Sequence, residues 1–156
     1  MSDAGGLRGR WRAPALLALS AVALLPLLPV LGALSPALVP LERLADGWFD
    51  LHCHRDPART PQLFGVPLAV CARCSGIYFG LGLGAALRWP SLTPPQIRGW
   101  VLAAATLMVG DVLLEARGIH GPWPSLRLLT GLALAYPVGN ALGALASRRR
   151  AATTDA

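Results

Sequence analysis

Apolar stretches alternate with short polar connections along the whole chain. Four stretches each carry at most one charged side chain: 13–41, 66–87, 99–114 and 128–147. A helix of roughly 20 residues crosses the hydrocarbon core of a bilayer, which is about 30 Å thick. The pattern therefore predicts one all-α domain over residues 1–156, an integral membrane four-helix bundle whose spans lie at about 14–39, 66–88, 98–116 and 127–147.

The first polar connection has the pattern of a short amphipathic helix. Apolar residues recur on one face and carboxylates on another, namely Leu41, Leu44, Ala45, Trp48 and Leu51 against Glu42, Asp46 and Asp50. A helix of this kind lies in the membrane interface with its apolar face toward lipid. The prolines and glycines that follow predict a turning loop, and Pro67 suits the first turn of the second span.

Composition supports the membrane class and restricts the partners. The chain is 54% hydrophobic and 14% charged, and its net charge of +6 comes from fourteen arginines and no lysine. A nucleic-acid surface needs aromatic side chains among the basic ones, and the basic termini lack them. The lipid bilayer is therefore the expected partner and nucleic acid is not, while the sequence identifies no protein partner.

The positions of the arginines predict the orientation of the chain. Eight of them flank the two termini and the second connection, whereas carboxylates offset the arginines of the other connections. Positive residues are enriched in cytoplasmic segments, so a multi-pass cell-membrane protein is expected, with both termini cytoplasmic and residues 42–65 outside. A cleaved signal peptide is the alternative for the first segment, whose charge-free run exceeds the usual apolar core of about 7 to 15 residues.

All three cysteines and two of the three histidines fall within residues 52–74. Two cysteines in the C-x-x-C spacing can direct both sulfurs to one point, and imidazoles complete a tetrahedral zinc site. Cys71 and Cys74 are expected to bind a metal, zinc in the first place, either with Cys53 and His54 or with His52 and His54. Four protein ligands would indicate a structural or carrier role, and an open position would allow hydrolysis or metal transfer.

A redox dithiol is the competing interpretation of Cys71 and Cys74. A thiol at the start of a helix and beside Arg73 has a lowered pKa, because the amide dipoles and the guanidinium stabilise the thiolate. The layout resembles that of quinone-linked thiol oxidases, which makes a quinone the alternative cofactor, but the second outward loop lacks the second cysteine pair of those enzymes. A membrane thiol-disulfide oxidoreductase, a structural disulfide and inert buried cysteines are therefore the alternatives to a metal.

Polar residues close to the cysteines are expected to support the site. Tyr78 continues the side of the second helix that carries Cys71 and Cys74, and this side forms a polar stripe inside a span. His52 is the less favoured histidine ligand of the loop. His120 lies in the second outward loop, where a lone histidine is more often solvated than ligating.

Two carboxylates occur near the outward end of the third span. Asp111 and Glu115 lie i, i+4 on one helix face, at about the depth expected for the C-x-x-C pair. A charged carboxylate in lipid costs about 2.5 kcal/mol or more unless it is paired, and the available partners are Arg73, Arg117 and Arg127. A structural ion pair is therefore favoured over a proton carrier or an extra ligand.

Small residues recur at every fourth position in the second and fourth spans. They are Gly76, Gly80 and Gly84 in the second, and Gly131, Ala135, Gly139 and Gly143 in the fourth. Small residues at this spacing let helix backbones approach closely in a membrane. The pattern predicts that these two helices pack on each other, and such faces also offer a surface for a homo-oligomer.

A family resemblance is carried by two strings and six further residues. They are Cys53-His54-Arg55-Asp56-Pro57-Ala58-Arg59-Thr60, then Gly65 and Pro67, then Cys71-Ala72-Arg73-Cys74-Ser75-Gly76-Ile77-Tyr78-Phe79-Gly80, and finally Asp111, Arg127, Thr130 and Gly131. These residues resemble the uncharacterised prokaryotic membrane family catalogued as domain of unknown function number twenty eighty-five. The resemblance implies a small multi-pass membrane protein whose signature includes Cys53, His54, Cys71 and Cys74. It favours the set of three cysteines and His54 as ligands, and it implies no reaction.

Overall fold

The computed structural model describes residues 12–151, and side-chain positions within 17–146. The helices are α1 (Arg12–Ala21), α2 (Leu28–Leu34), α3 (Val39–Asp50), α4 (Ala72–Leu87), α5 (Pro94–Ala116) and α6 (Pro124–Ala151), with 3-10 turns at Val22–Leu27, Pro36–Leu38 and Pro57–Arg59. Two short strands, β1 (Gln62–Leu63) and β2 (Val66–Pro67), form one antiparallel hairpin. The all-α class predicted from the sequence is confirmed.

Three helical segments in the described part of the chain are long and apolar enough to cross a membrane. They are Leu17–Leu34, Pro94–Ala116 and Pro124–Ala146. The remaining predicted span, which is the second, corresponds to α4, a helix of only 16 residues. At a rise of 1.5 Å per residue this helix is about 24 Å long, shorter than the hydrocarbon core of about 30 Å.

The first span ends earlier than the predicted range of 14–39. Its last helical residue is Leu34, and Ser35 has an extended backbone with φ −144° and ψ 109°. Pro26 lies inside the 3-10 turn Val22–Leu27, and Pro36 directly follows the break. Proline has no N–H to donate and its ring clashes with the preceding turn, which accounts for the tightened and interrupted helix.

The predicted second span, residues 66–88, was wrong at its beginning. Val66 pairs with Leu63 in the hairpin, and Pro67 pairs with Gln62 instead of opening a helix. The turn between the strands contains Phe64 and Gly65, both with positive φ. A two-residue turn of this kind matches the twist of paired strands, so the chain is held extended where the sequence predicted helix.

Hydrogen bonds to two other segments hold the residues after the hairpin. The Leu68 N–H donates to the Pro61 carbonyl at 2.9 Å, and the Ala69 N–H donates to the Pro26 carbonyl at 3.0 Å. Leu68, Ala69 and Val70 are buried. These contacts seat the extended segment against the first helical segment, and they place Cys71 at the point where α4 begins.

The third and fourth spans begin slightly earlier than predicted. α5 starts at Pro94 instead of 98, because Thr93 and Gln96 form a reciprocal capping box ahead of it. α6 covers the predicted range of 127–147 and extends beyond it at both ends. α5 packs mainly on α6, where the Trp100 indole donates to the Ala133 carbonyl at 2.9 Å.

The glycines of α4 and α6 face each other, as predicted. A Cβ added to Gly76, Gly80 or Gly139 would overlap backbone atoms of the opposite helix. Backbones that approach this closely exclude any larger side chain from the contact. The two small-residue faces therefore cover each other within one chain.

The predicted amphipathic helix is present as α3. Phe49 is completely buried at its end, whereas Leu44, Trp48 and Leu51 are 75%, 60% and 80% exposed within the protein. Phe49 packs with Cys53, so the end of α3 connects directly to the loop that carries the candidate ligands.

Candidate metal centre

A buried aromatic side chain fixes the position of the first cysteine. Phe49 forms a core cluster with Cys53, Ala69 and Val70. The Cys53 N–H donates to the Phe49 carbonyl at 2.9 Å, which folds the chain back after α3 ends. Burial of this cluster therefore brings the loop cysteine against the segment that leads into α4.

The other two cysteines come from the first turn of α4. Cys71 is the N-cap residue with an extended backbone, and its N–H donates to the Cys53 sulfur at 3.3 Å. Cys74 lies one turn later in the helix. Because residues three apart lie on the same side of a helix, both sulfurs are directed toward Cys53.

The three sulfur atoms lie within 4.8 Å of one another. All three cysteines are free thiols, with Cys53 buried and the other two half-buried. With Zn–S bonds of about 2.3 Å, tetrahedral coordination separates two sulfur ligands by about 3.8 Å. The sulfurs are thus within about 1 Å of the spacing that three corners of a zinc site require, and thiolates are donors that zinc prefers.

The surroundings of Cys71 favour the ionised form of its thiol. The hydrogen bond from the Cys74 thiol lowers the pKa of Cys71 to about 5, against the opposing effect of burial. Smaller contributions in the same direction come from backbone N–H groups at the start of α4 and from the Cys53 thiol. A thiolate is therefore present at neutral pH, as both metal binding and thiol exchange require.

Neither histidine of the loop belongs to the group of atoms that lie within 4.8 Å of one another. His54 and His52 both line the cavity in front of the sulfurs. The Nε2 atom of His52 lies 2.9 Å from the Tyr78 hydroxyl, to which the Trp48 indole also donates at 3.2 Å. Tyr78 thus holds the ring of His52 from a position one turn beyond Cys74.

The cavity has a volume of about 520 Å³ and a strongly basic wall. Besides the three cysteines and the two histidines, it is lined by Arg55, Arg59, Arg73 and Arg127, with Asp56 as its carboxylate. These arginines come from the loop, from α4 and from α6. The tertiary fold thus gathers guanidinium groups from three parts of the chain beside the sulfur cluster.

The predicted carboxylate partners form ion pairs behind this wall. Arg73 donates to Asp111 at 2.6 Å, and Arg127 donates to Glu115. Both carboxylates are largely buried, with 4% and 16% of their side chains exposed. The structure therefore agrees with the predicted ion pairs, and it places neither carboxylate among the residues that surround the sulfurs.

The remaining polar residues of this region occupy different positions. His120 lies 3.6 Å from Asp111 and bonds the Gly121 carbonyl through Nδ1, so it belongs to the carboxylate network and not to the sulfur cluster. Arg117, a third candidate partner of the carboxylates, is exposed at the end of α5.

Sequence reasoning missed the contribution of two loop arginines. Arg55 pairs with Asp46 at 2.8 Å, which ties the loop to α3, and Arg59 reaches Glu115 at 3.5 Å, which ties it to α5. The signal was the pair of arginines four residues apart, directly after the predicted ligands.

Comparisons with known proteins agree with the membrane class predicted from the sequence. An uncharacterized protein of Methanocaldococcus jannaschii is 34% identical to this chain over 95 residues, which cover 58% of this chain and 60% of that protein. The chain thus spans less than two thirds of this curated relative. No solved structure matches the chain. The family model described as predicted membrane protein (DUF2085) matches residues 53–141, which include all three cysteines and both carboxylate ion pairs. The chain therefore belongs to this family of membrane proteins.

Proposed function

We propose that this protein binds a metal ion, zinc in the first place, through Cys53, Cys71 and Cys74. The observation that carries the proposal is the approach of three free sulfurs to within 4.8 Å of one another. Two of them come from the first turn of α4 and the third from a loop 18 residues earlier. Three thiols brought together across the fold, without a disulfide, form a donor set typical of structural zinc sites.

His54 is the proposed fourth ligand. It follows Cys53 directly and lines the cavity in front of the sulfurs. His52 is the alternative, but its Nε2 atom is engaged by Tyr78. A metal held by three thiolates and one imidazole would tie the first outward loop to α4, which supports a structural or metal-handling role and requires no chemical step.

The same proposal includes a placement in the cell membrane. The three long apolar segments together with α4 would form a four-helix bundle, with α4 buried against α6. The exposed apolar residues of α3 support a position of that helix in the interface, because lipid would cover them. The arginine distribution supports cytoplasmic termini, which puts the sulfur cluster on the outer side.

Metal analysis of the detergent-purified protein tests the proposal. We expect one zinc per chain, and loss of that zinc in Cys53→Ser, Cys71→Ser and Cys74→Ser, because each change removes one ligand. His120→Ala is the control, since His120 lies in the carboxylate network and should leave zinc content unchanged. Protein that contains no transition metal when it is isolated without chelators would contradict the proposal.

Thiol-disulfide exchange is the second candidate function, and the acidity of Cys71 favours it. In such a reaction Cys71 and Cys74 would be oxidised to a disulfide, and their two electrons and two protons would convert a quinone to a quinol. Cys53 would then be the third thiol that attacks or resolves the disulfide. A thiol count separates the two functions, because the metal site requires three free thiols after metal removal and the oxidised dithiol leaves one.

A further inference from the structure

Three arginines carry buried N–H donors that have no acceptor in the described part of the protein. The donors are the Nε atoms of Arg55, Arg73 and Arg127. The Nε atom of Arg55 lies 3.4 Å from the Asp50 carboxylate, but not in hydrogen-bond geometry. A buried donor without an acceptor costs free energy, so each such group calls for a partner.

All three arginines line the same cavity in front of the sulfur cluster. Arg127 is the most buried, with 6% of its side chain exposed, followed by Arg73 with 23% and Arg55 with 30%. They come from three different elements: Arg55 lies in the loop that follows α3, Arg73 lies in α4, and Arg127 lies in α6. Arginine side chains that line a cavity from three elements suit an acceptor whose oxygens also point in several directions.

The carboxylates that pair with these three arginines do not fill that role. Asp111, Glu115 and Asp46 bond the terminal guanidinium nitrogens of these arginines. None of these carboxylates is among the residues that line the cavity. The carboxylates therefore hold each guanidinium in place and balance its charge, while the buried Nε donors remain without an acceptor.

We propose that this cavity binds a phosphate group, held by Arg55, Arg73 and Arg127 beside the three sulfurs. A phosphate monoester or inorganic phosphate has at least three terminal oxygens in a tetrahedral arrangement, whereas the two oxygens of a carboxylate lie in one plane. Arginine is suited to phosphate because its donors are charged and fixed in direction. Arg59, half exposed and also part of the wall, provides a further guanidinium.

The phosphate site does not depend on the proposed metal, because its donors are side chains of arginine. Two sources of the phosphate share this chemistry, namely the headgroup of phosphatidic acid and a soluble phosphate. An anionic lipid would enter from the bilayer, and a soluble phosphate from the aqueous side. Competition by phosphatidic acid separates these two sources from each other, and the Cys74→Ser variant separates binding by arginine from binding by a metal.

The test is calorimetric titration of inorganic phosphate into the detergent-purified protein, with sodium chloride and sodium acetate at matched ionic strength as control titrants. We expect saturable binding of phosphate alone. Arg73→Lys and Arg127→Lys keep the charge and an ion pair with the carboxylate but remove the Nε donor, so each should weaken binding by about tenfold or more. Arg117→Lys is the matched control, because Arg117 is exposed and outside the cavity, and it should bind like the parent.

Two further arms complete the test. In nanodiscs, phosphatidic acid that competes with inorganic phosphate identifies the lipid as a source, and a lack of competition identifies a soluble phosphate. The Cys74→Ser variant should retain phosphate binding even if it loses its metal. If this variant remains helical but no longer binds phosphate, the metal binds the anion and the proposed arginine site is wrong. Equal heats for phosphate and chloride, or unchanged affinity in both Arg→Lys variants, would also overturn the proposal.

Discussion

The guanidinium of Arg73 lies 2.6 Å from the carboxylate of Asp111 and links α4 to α5. Only 4% of the Asp111 side chain and 23% of the Arg73 side chain are exposed. Arg73 stands between Cys71 and Cys74, so this ion pair fixes the turn of helix that presents two of the three sulfurs. Arg127 and Glu115 form a second pair one turn away along α5.

Loss of Asp111 should destabilise the protein. Asp111→Ala leaves the Arg73 guanidinium largely buried without its carboxylate, and breaking a buried pair in this way costs about 3 to 5 kcal/mol. Thermal and denaturant unfolding in detergent would measure the loss. Asp50→Ala is the matched control, because Asp50 is 66% exposed in its ion pair with Arg55 and such pairs contribute little. Equal stability of the two variants would show that Asp111 is not a structural partner.

Neutralising Asp111 without changing its shape should leave the metal in place. The carboxylate bonds Arg73 and does not belong to the group of mutually close ligand atoms. Asp111→Asn is therefore expected to retain the zinc content of the parent protein, with a smaller loss of stability than Asp111→Ala, since the amide oxygen still accepts from the guanidinium. Zinc content measured by mass spectrometry decides this. A stable Asp111→Asn variant without zinc would place the carboxylate in the metal site.

Alkylation of the metal-free protein should depend on pH in a way that reveals the acidity of Cys71. Because the pKa of Cys71 is lowered to about 5, its thiolate predominates at neutral pH, and the alkylation rate should be flat from about pH 7 upward. An ordinary thiol would instead react about tenfold faster for each pH unit below its pKa. Iodoacetamide labelling followed by peptide mass spectrometry gives the rate for each cysteine.

Removal of the Cys74 thiol should reverse this behaviour. The hydrogen bond from Cys74 is the largest cause of the lowered pKa, so Cys74→Ala is expected to raise the pKa of Cys71 toward its usual value. Labelling of Cys71 would then increase with pH through the neutral range. An unchanged flat profile in Cys74→Ala would assign the acidity to the helix start and its backbone N–H groups.

An added methyl group should disturb the contact between α4 and α6. In Gly139→Ala the new Cβ overlaps the Leu81 carbonyl, and overpacking of this kind typically costs about 1 to 3 kcal/mol. Gly110→Ala in α5 is the control, because nothing lies within 4 Å of its Cβ position and alanine is favoured over glycine in a helix. The melting temperature in detergent should fall for the first variant and stay or rise for the second. Equal effects would mean that the close approach of the helices does not contribute to stability.

The orientation of the chain can be measured with fusion reporters. A green fluorescent protein after Arg150 should fluoresce, and an alkaline phosphatase fused near Asp56 should be active, because the arginine distribution predicts a cytoplasmic C-terminus and an outer first loop. The opposite pattern of activities would place the sulfur cluster on the cytoplasmic side. A cluster on the cytoplasmic side would have the same geometry, but it would not lie in the oxidising environment that the redox alternative requires.

The sequence by itself determined the membrane class, the helical character and the group of residues from which the proposed site is drawn. Charge-free stretches of sufficient length cannot be placed in water, so the apolar pattern decides the class without knowledge of the fold. Glycines at every fourth position could be assigned to the contact of α4 with α6, because their periodicity is a property of the helix alone. The pairing of Asp111 with an arginine followed from the cost of an isolated charge.

Only the tertiary structure decided where α4 begins and which groups surround the sulfurs. The segment before Cys71 is apolar, and its pattern predicts a helix. Hydrogen bonds to Pro26 and Pro61 hold it extended instead. Bonds of this kind leave no pattern in the local sequence. His52 bonds Tyr78 and stays apart from the cluster. Arg55, Arg73 and Arg127 meet in one cavity. Both arrangements likewise depend on packing between distant elements. Spacing along the chain identifies the residues that can form a site, and only the three-dimensional approach of α4, α6 and the loop determines which of them do.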